Sequence, residues 1–342
     1  MTSTLAPSPL LARPGAVAGS GPDAAVPLHY GDPIREQRAL ENGVGWVDRG
    51  NRGVVAVPGA DRLSWLHSIT AQHLSALPDG AGTEALVLSP HGHVEHHLLV
   101  AESAGGTWLD VEPGTVPELL GYLESMRFML RVEPRDASAE LAVLSLVGPE
   151  VPAALTAAGL PVPATPYAVE PTPGGGLVRR MPWPGADAAD LLVPRAGLVA
   201  AADRLTAAGA TAAGTWAYEA LRVAGRRPRL GFETDHRTIP HEVGWIGVAV
   251  HLDKGCYRGQ ETVARVQNLG RPPRRLVLLH LSGESERLPE PKAAVLLDGR
   301  AVGFVGTAVR HHELGPIALA LVKRVVPDDA ALLVGDQPAA ID

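Results

Sequence analysis

The chain has 342 residues, 46% of them hydrophobic and only 4% aromatic, and a net charge of −7. Acidic and basic residues are intermixed, so no global basic field invites nucleic acid, and no stretch approaches the roughly 20 apolar residues of a membrane span. One cysteine excludes an internal disulfide and fits a reducing cytoplasm, where we expect the protein to reside.

Residues 1–27 read MTSTLAPSPLLARPGAVAGSGPDAAVP. They lack the basic start and long apolar core of a secretory signal, and their Pro, Ala, Gly and Ser content predicts a disordered leader. Next comes a β-branched run, Val54 to Val57. A Pro58-Gly59 turn follows it, then Leu63, Leu66 and Ile69 at helical spacing. ALVLSPHGHVEHHLLVA reads as a hairpin, with Ser89-Pro90-His91-Gly92 as its turn. TWLDVEPGTVPELLGYLESM is strand, turn, helix.

The same grammar then recurs. Leu141 to Val147 is a strand before a Gly148-Pro149 turn and a helix, and ADLLVPRAGLVAAADRLTAAG is strand, turn, helix again. An offset of roughly 80–90 residues predicts duplicated α+β units rather than a solenoid. Antiparallel neighbours with segregated helices set the α+β class. Beyond Arg271-Pro272-Pro273, short strands separated by Gly, Pro, Asp and Glu predict a small β-barrel or sandwich.

In HGHVEHH, His91, His93, Glu95 and His97 share one strand face by alternation, with His96 on the other, and these types suit zinc. The run begins in a turn and has no second ligand cluster, so no metal centre is expected there.

The chemical signal lies between Gly214 and Gly270. WAYEALRVAGR reads as a helix ended at Gly225, and a long polar loop follows; such loops are more often functional than idle. Then comes KGCYRGQE, residues 254–261, which holds the only cysteine. A lysine two residues from Cys256 favours the thiolate, and Gly255 and Gly259 permit tight turning and close approach. Tyr257 is suited to stacking on a flat ring or covering the thiol. Glu261 is suited to pairing with Lys254 or Arg265.

The order W-x-Y-E-x-L-R, G-x-E-x-D, I-P-x-E and K-G-C-Y-x-G-Q-E resembles the YgfZ family of folate-binding proteins, relatives of the glycine-cleavage T-protein (GcvT, aminomethyltransferase). The resemblance covers roughly residues 28 to 342. It implies a GcvT-like three-domain ring around a central opening. Residues 28–49 and 137–270 would form one discontinuous α+β domain carrying the KGCYRGQE loop. Residues 50–136 would form the second, and residues 274–342 a closing β-barrel.

The resemblance further implies tetrahydrofolate or a derivative as cofactor, and a role in iron–sulfur cluster assembly or repair with client or assembly proteins as partners. Cys256 and Lys254 are then the candidate chemical residues. Arg222, Tyr257, Glu233 and His96 are the candidate folate contacts, and Gly255, Gly259, Gln260 and Glu261 shape the motif. An arginine suits folate because its fork binds pterin oxygens or a glutamate carboxylate. One thiolate cannot hold a cluster that needs about four, so Cys256 would act transiently.

One departure stands out. T-proteins carry an aspartate pair after the hairpin glycines, and His96 and His97 occupy it here. Imidazole does not replace an ionised carboxylate without changing the electrostatics. This argues against glycine-cleavage activity. A one-carbon transferase acting on another substrate and a non-catalytic folate module are the alternatives to the accessory factor.

Overall fold

The computed structural model describes residues 5–185 and 187–342. Among these, seven helices run in chain order: α1 (Pro33–Asn42), α2 (Arg62–Ile69), α3 (Val116–Ser125), α4 (Val151–Ala157), α5 (Leu198–Ala207), α6 (Thr215–Ala224) and α7 (Gln260–Leu269). Local chemistry sets their ends. At α1, the Asp32 carboxylate accepts from the Arg35 N–H at 3.0 Å, and Pro33 sits in the first turn, where its missing N–H costs nothing.

Two sheets carry the duplication. In the first, five strands lie in the order Ala81–Leu88, Val94–Ser103, Gly106–Val111, Gly53–Pro58, Arg135–Asp136, all antiparallel. In the second, the order is Val169–Pro171, Leu177–Met181, Ala188–Pro194, Leu141–Val147, Gly45–Asp48, Thr211–Ala213. The orders correspond strand for strand, with Gly45–Asp48 inserted before the last. That last strand pairs in parallel with Gly45–Asp48, whereas wholly antiparallel sheets were expected.

The sheets pack face to face, because period-two alternation gives each strand two apolar sides. Val54, Ala56 and Ala101 of the first meet Leu141, Val143, Leu177 and Leu192 of the second. The opposite residues, Val55, Leu98 and Leu109, lie under Trp65 and Leu66 of α2 and Leu119 and Leu123 of α3. Leu144, Leu146 and Leu191 lie under Leu155 of α4 and Leu198 and Leu205 of α5.

The C-terminal strands close into a barrel, in the order Arg274–Leu281, Gly315–Lys323, Arg300–His311, Ala294–Leu297, Leu332–Val334, Gln337–Ile341. Closure removes exposed strand edges. The barrel docks on α6, where Ala220 and Val223 meet Leu278, Val309, Ile317 and Leu319.

The expected disordered leader is corrected. Residues 1–4 lie outside the described residues, but the segment from Leu5 onward is an ordered strap. Leu10 is fully buried against the core that includes Trp46 and Leu144, and the Ser8 hydroxyl donates to Asp48. Asp23 takes Arg229 at 2.6 and 2.7 Å and the Asn51 amide at 2.6 Å. Proline and glycine there make short turns rather than disorder, and the strap's anchors are single side chains that composition does not register.

Charged groups are buried alongside the apolar interface. Arg52 Nε donates to Asp110 at 2.6 Å, and its Nη1 to Glu112 at 3.0 Å. Arg179 Nη2 bridges Asp110 at 2.6 Å and Asp190 at 2.9 Å. Burial opposes the charge of Asp110, yet Arg179 and Arg52 hold its carboxyl below the ordinary range. Asp110→Ala would remove one of the two carboxylates held by each of two buried guanidinium groups, leaving Arg52 with Glu112 and Arg179 with Asp190, at about 3 kcal/mol. We expect a lower urea midpoint with unchanged slope; an unchanged midpoint would show that this cluster does not hold the sheets together.

Candidate ligand site

A cavity of about 250 Å³ opens where the two sheet units meet the polar loop after α6. Glu84 and His97 face it from the five-stranded sheet, Trp183 from the segment before strand Ala188–Pro194, and Gly225–Pro228 and Val243–Trp245 from the loop.

Glu84 organises the wall. The Nε2 of His97 lies 2.8 Å from its Oε2, Trp183 Nε1 donates to Oε1 at 3.1 Å, and the Tyr167 hydroxyl donates to the same oxygen. Burial raises the cost of its charge, but these contacts outweigh it and hold the carboxyl down to about 2. The site therefore keeps a buried carboxylate at neutral pH. The His97 ring stacks on the Trp245 indole, with centroids 4.7 Å apart and planes 14° from parallel. The result is a flat aromatic wall beside an anion.

Behind it lies a smaller void of about 20 Å³, sharing His97, Trp183 and Pro228 with the cavity and floored by Arg49, Arg52, Glu112, Glu219, Arg222 and Arg229. Arg222, expected to contact ligand directly, is buried with every N–H engaged. Nε donates to Glu219 at 3.0 Å. Nη1 donates to Glu233 at 3.1 Å and to the Arg227 carbonyl. Nη2 donates to Glu219 at 2.7 Å and to the Thr307 hydroxyl at 2.6 Å. Its fork ties α6 to the loop and the barrel, and it does not line the larger cavity. Glu233 is wholly buried; its Oε2 takes Arg222 and, at 2.7 Å, the Arg229 N–H. Its Oε1 has no partner.

His96 is likewise not in the cavity lining; His97 is. Adjacent strand residues face opposite ways. His96 lies opposite Val87, on the face that α2 and α3 cover. Its Nδ1 is unpartnered, and burial pushes its pKa down to about 4.

The KGCYRGQE loop lies apart from the cavity lining. Cys256 is exposed, and Tyr257 is buried in a core with Leu88, Val94, Val250 and Val263 rather than offering a stacking face. Lys254 does not direct its charge to the thiol. Its ammonium donates to the carbonyls of Thr70 at 2.7 Å, Gln72 at 3.2 Å and His67, closing the C-terminal end of α2. Burial lowers its pKa to about 8. Glu261 is exposed and pairs with neither expected partner. Gln260 opens α7. Gly259, at φ +81°, caps α7, and a Cβ there would fall 2.6 Å from the Ser89 carbonyl; the close approach is to the hairpin turn. Gly255 meets nothing within 4 Å.

Glu84, Trp183 and Trp245 escaped the sequence reading. A lone acid entering the apolar strand run 81–88 and a tryptophan between loop glycines were the available signals.

His96 gives a pH test. Its folded pKa lies below the ordinary 6.5, so between about 6.5 and 4 the unfolded chain binds a proton that the folded chain refuses. Its contribution is intact above that window and is lost as pH falls through it. His96→Leu should flatten the fall in denaturant midpoint between pH 7 and pH 5; an equally steep fall would mean that other groups govern it.

Residues 10–254 match the family described as the GCVT N-terminal domain. A putative chloroplastic transferase of Arabidopsis thaliana is 28% identical over 279 residues, which are 78% of this chain; the chain spans 62% of that relative's length. An aminomethyltransferase of Herpetosiphon aurantiacus is 28% identical over 308 residues, 87% of this chain and 84% of that one. The crystal structure of glycine cleavage system aminomethyltransferase T from Bartonella henselae shares the fold, with a TM-score of 0.84 at 22% identity over 96% of this chain and 93% of that one. A family match over more than half the residues, agreeing with the paired sheets and closed barrel, shows that this chain belongs to the GCVT N-terminal domain family.

Proposed function

We propose that the cavity binds the pteridine head of a tetrahydrofolate, and that the protein is a YgfZ-type accessory factor for iron–sulfur proteins. The observation that carries the binding reading is the ionised Glu84 beside the His97–Trp245 stack. A pteridine presents a flat π-face to an aromatic wall, and its 2-amino-pyrimidinone edge offers two adjacent N–H donors, which a carboxylate accepts. A volume of about 250 Å³ suits a bicyclic head better than a whole folate.

Two features support the accessory role over amine transfer. His97 stands in the wall at a position aligned with the T-protein aspartate pair, and the carboxylate beside it, Glu84, is already tied to His97, Trp183 and Tyr167 rather than free to meet a developing cation. The thiol is exposed and outside the cavity lining, where a macromolecular client can reach it. Any cluster or sulfur species handled there is cargo and needs further ligands from the client. The protein would work in the cytoplasm, where a free thiol persists.

The relatives named as transferases favour a second reading, one-carbon transfer to an unidentified acceptor. It requires turnover of a methylene-, methyl- or formyl-folate by purified protein.

The test uses quenching of tryptophan fluorescence by 5-formyltetrahydrofolate. Glu84→Ala and Trp183→Ala should each weaken binding by about tenfold or more, and Cys256→Ala should leave it unchanged. In the host, Cys256→Ala should lower the activities of several iron–sulfur enzymes. Normal activities would remove the accessory role, and unaltered affinity in the cavity variants would remove the site.

A further inference from the structure

A second cluster of ligating side chains stands away from the cavity. Glu41, in the last turn of α1, meets His311 and His312, which end strand Arg300–His311 and begin the turn after it. One donor atom from each lies within 4.8 Å of the other two. The Glu41 carboxylate contacts Nε2 of His312. The imidazoles stack, with centroids 4.8 Å apart and planes 27° from parallel. His311 and the His312 side chain are buried, while about a third of the Glu41 side chain is exposed.

The cluster is pre-organised. Gln37, fully buried and one turn before Glu41 on the same face of α1, donates to the Arg310 carbonyl at 2.9 Å and accepts from the His312 N–H at 2.9 Å. This clamp fixes the barrel turn on α1, and with it the register of the two histidines against Glu41.

We propose that Glu41, His311 and His312 form a binding site for a divalent cation of the zinc class, joining the barrel to α1. Two imidazoles and one carboxylate suit zinc or cobalt; calcium and magnesium prefer all-oxygen sites. The exposed side of Glu41 leaves the fourth position to water. The Nδ1 of His311 accepts from the N–H groups of Glu313 and Leu314 at 3.2 and 3.3 Å, contacts that place both amides where they would report an ion bound to that ring. The histidine-rich hairpin is a poorer candidate. The rings of His91 and His93 are 6.2 Å apart, Glu95 pairs with Arg258 at 3.0 Å, and His97 is engaged by Glu84.

The experiment titrates the chelator-treated full chain with Co²⁺ and with Zn²⁺. One equivalent of Co²⁺ should give the intense visible bands of a tetrahedral site, Zn²⁺ should displace it, and Zn²⁺ should raise the thermal midpoint. Glu41→Gln should weaken Zn²⁺ binding by about tenfold or more, and the His311→Gln/His312→Gln pair should abolish it. A His91→Ala/His93→Ala pair should change neither. Should the double glutamine variant fail to fold, Glu41→Gln and the amide resonances of Glu313 and Leu314, which should move on Zn²⁺ addition, decide the matter. The proposal is overturned by no stoichiometric binding, by binding that Glu41→Gln leaves untouched, or by binding lost only in the His91/His93 variant.

Discussion

The structure depends on a connected set of buried ion pairs running through the middle of the molecule. Asp110 joins Arg52 to Arg179, and Arg179 passes to Asp190. Ser145 donates to Asp190 at 2.5 Å and receives Arg49 at 3.2 Å, which also reaches the Tyr218 hydroxyl of α6 at 2.7 Å. Glu112 then links Arg52 to Arg229, and Arg229 links to Asp23 of the strap. Arg222 and Glu233 extend the chain to Thr307 of the barrel. Each segment of the fold contributes a member. Buried pairs such as these contribute little net stability against apolar packing, but removing one partner is severe. They make a wrong docking of the segments expensive.

The same chain of charges shapes the cavity. His97 and Trp183 line both the cavity and the void floored by Arg49, Arg52, Arg222 and Arg229. These arginines already have carboxylate or hydroxyl partners, so the floor is polar and occupied rather than an open anion trap. Glu84 already receives Trp183 and Tyr167 on Oε1 and meets His97 at Oε2, so what it offers near the opening is the remaining capacity of Oε2, beside the indoles of Trp183 and Trp245. The cavity wall is therefore a carboxylate in an aromatic frame, with the arginines acting as its foundation.

Local patterns made much of the fold legible in the sequence. The runs at Val54 and Leu141 became strands Gly53–Pro58 and Leu141–Val147, and the hairpin around Gly92 joins Ala81–Leu88 to Val94–Ser103. The strap was misjudged because Ser8, Leu10 and Asp23 hold it through partners 28 to 206 residues away. The site was harder. Arg222 was expected at the ligand because it matches the family's L-R motif; Glu219, one helical turn before it, was legible as a partner, but only the tertiary structure brings Glu233 and Thr307 to its remaining donors. Trp183 and Trp245 come from loops in different parts of the chain, and no spacing rule connects them.

Lys254 carries the sharpest lesson about motifs. Beside a cysteine it reads as a thiol activator, but its ammonium meets three converging backbone carbonyls at the end of α2. A compact ion with three rotatable donors fits that nest, and a planar guanidinium would not. Its neighbour Tyr257 stays in the core with its ring 5.4 Å from that ammonium, and Gly259 lets the loop sit on the hairpin turn. The motif residues around the thiol are thus largely a mount. They clamp α2, the hairpin and α7 together and leave Cys256 exposed at the surface. With Lys254 held by those carbonyls, the motif gives the thiol no neighbouring ammonium to favour its thiolate, and what distinguishes Cys256 in this chain is its exposure.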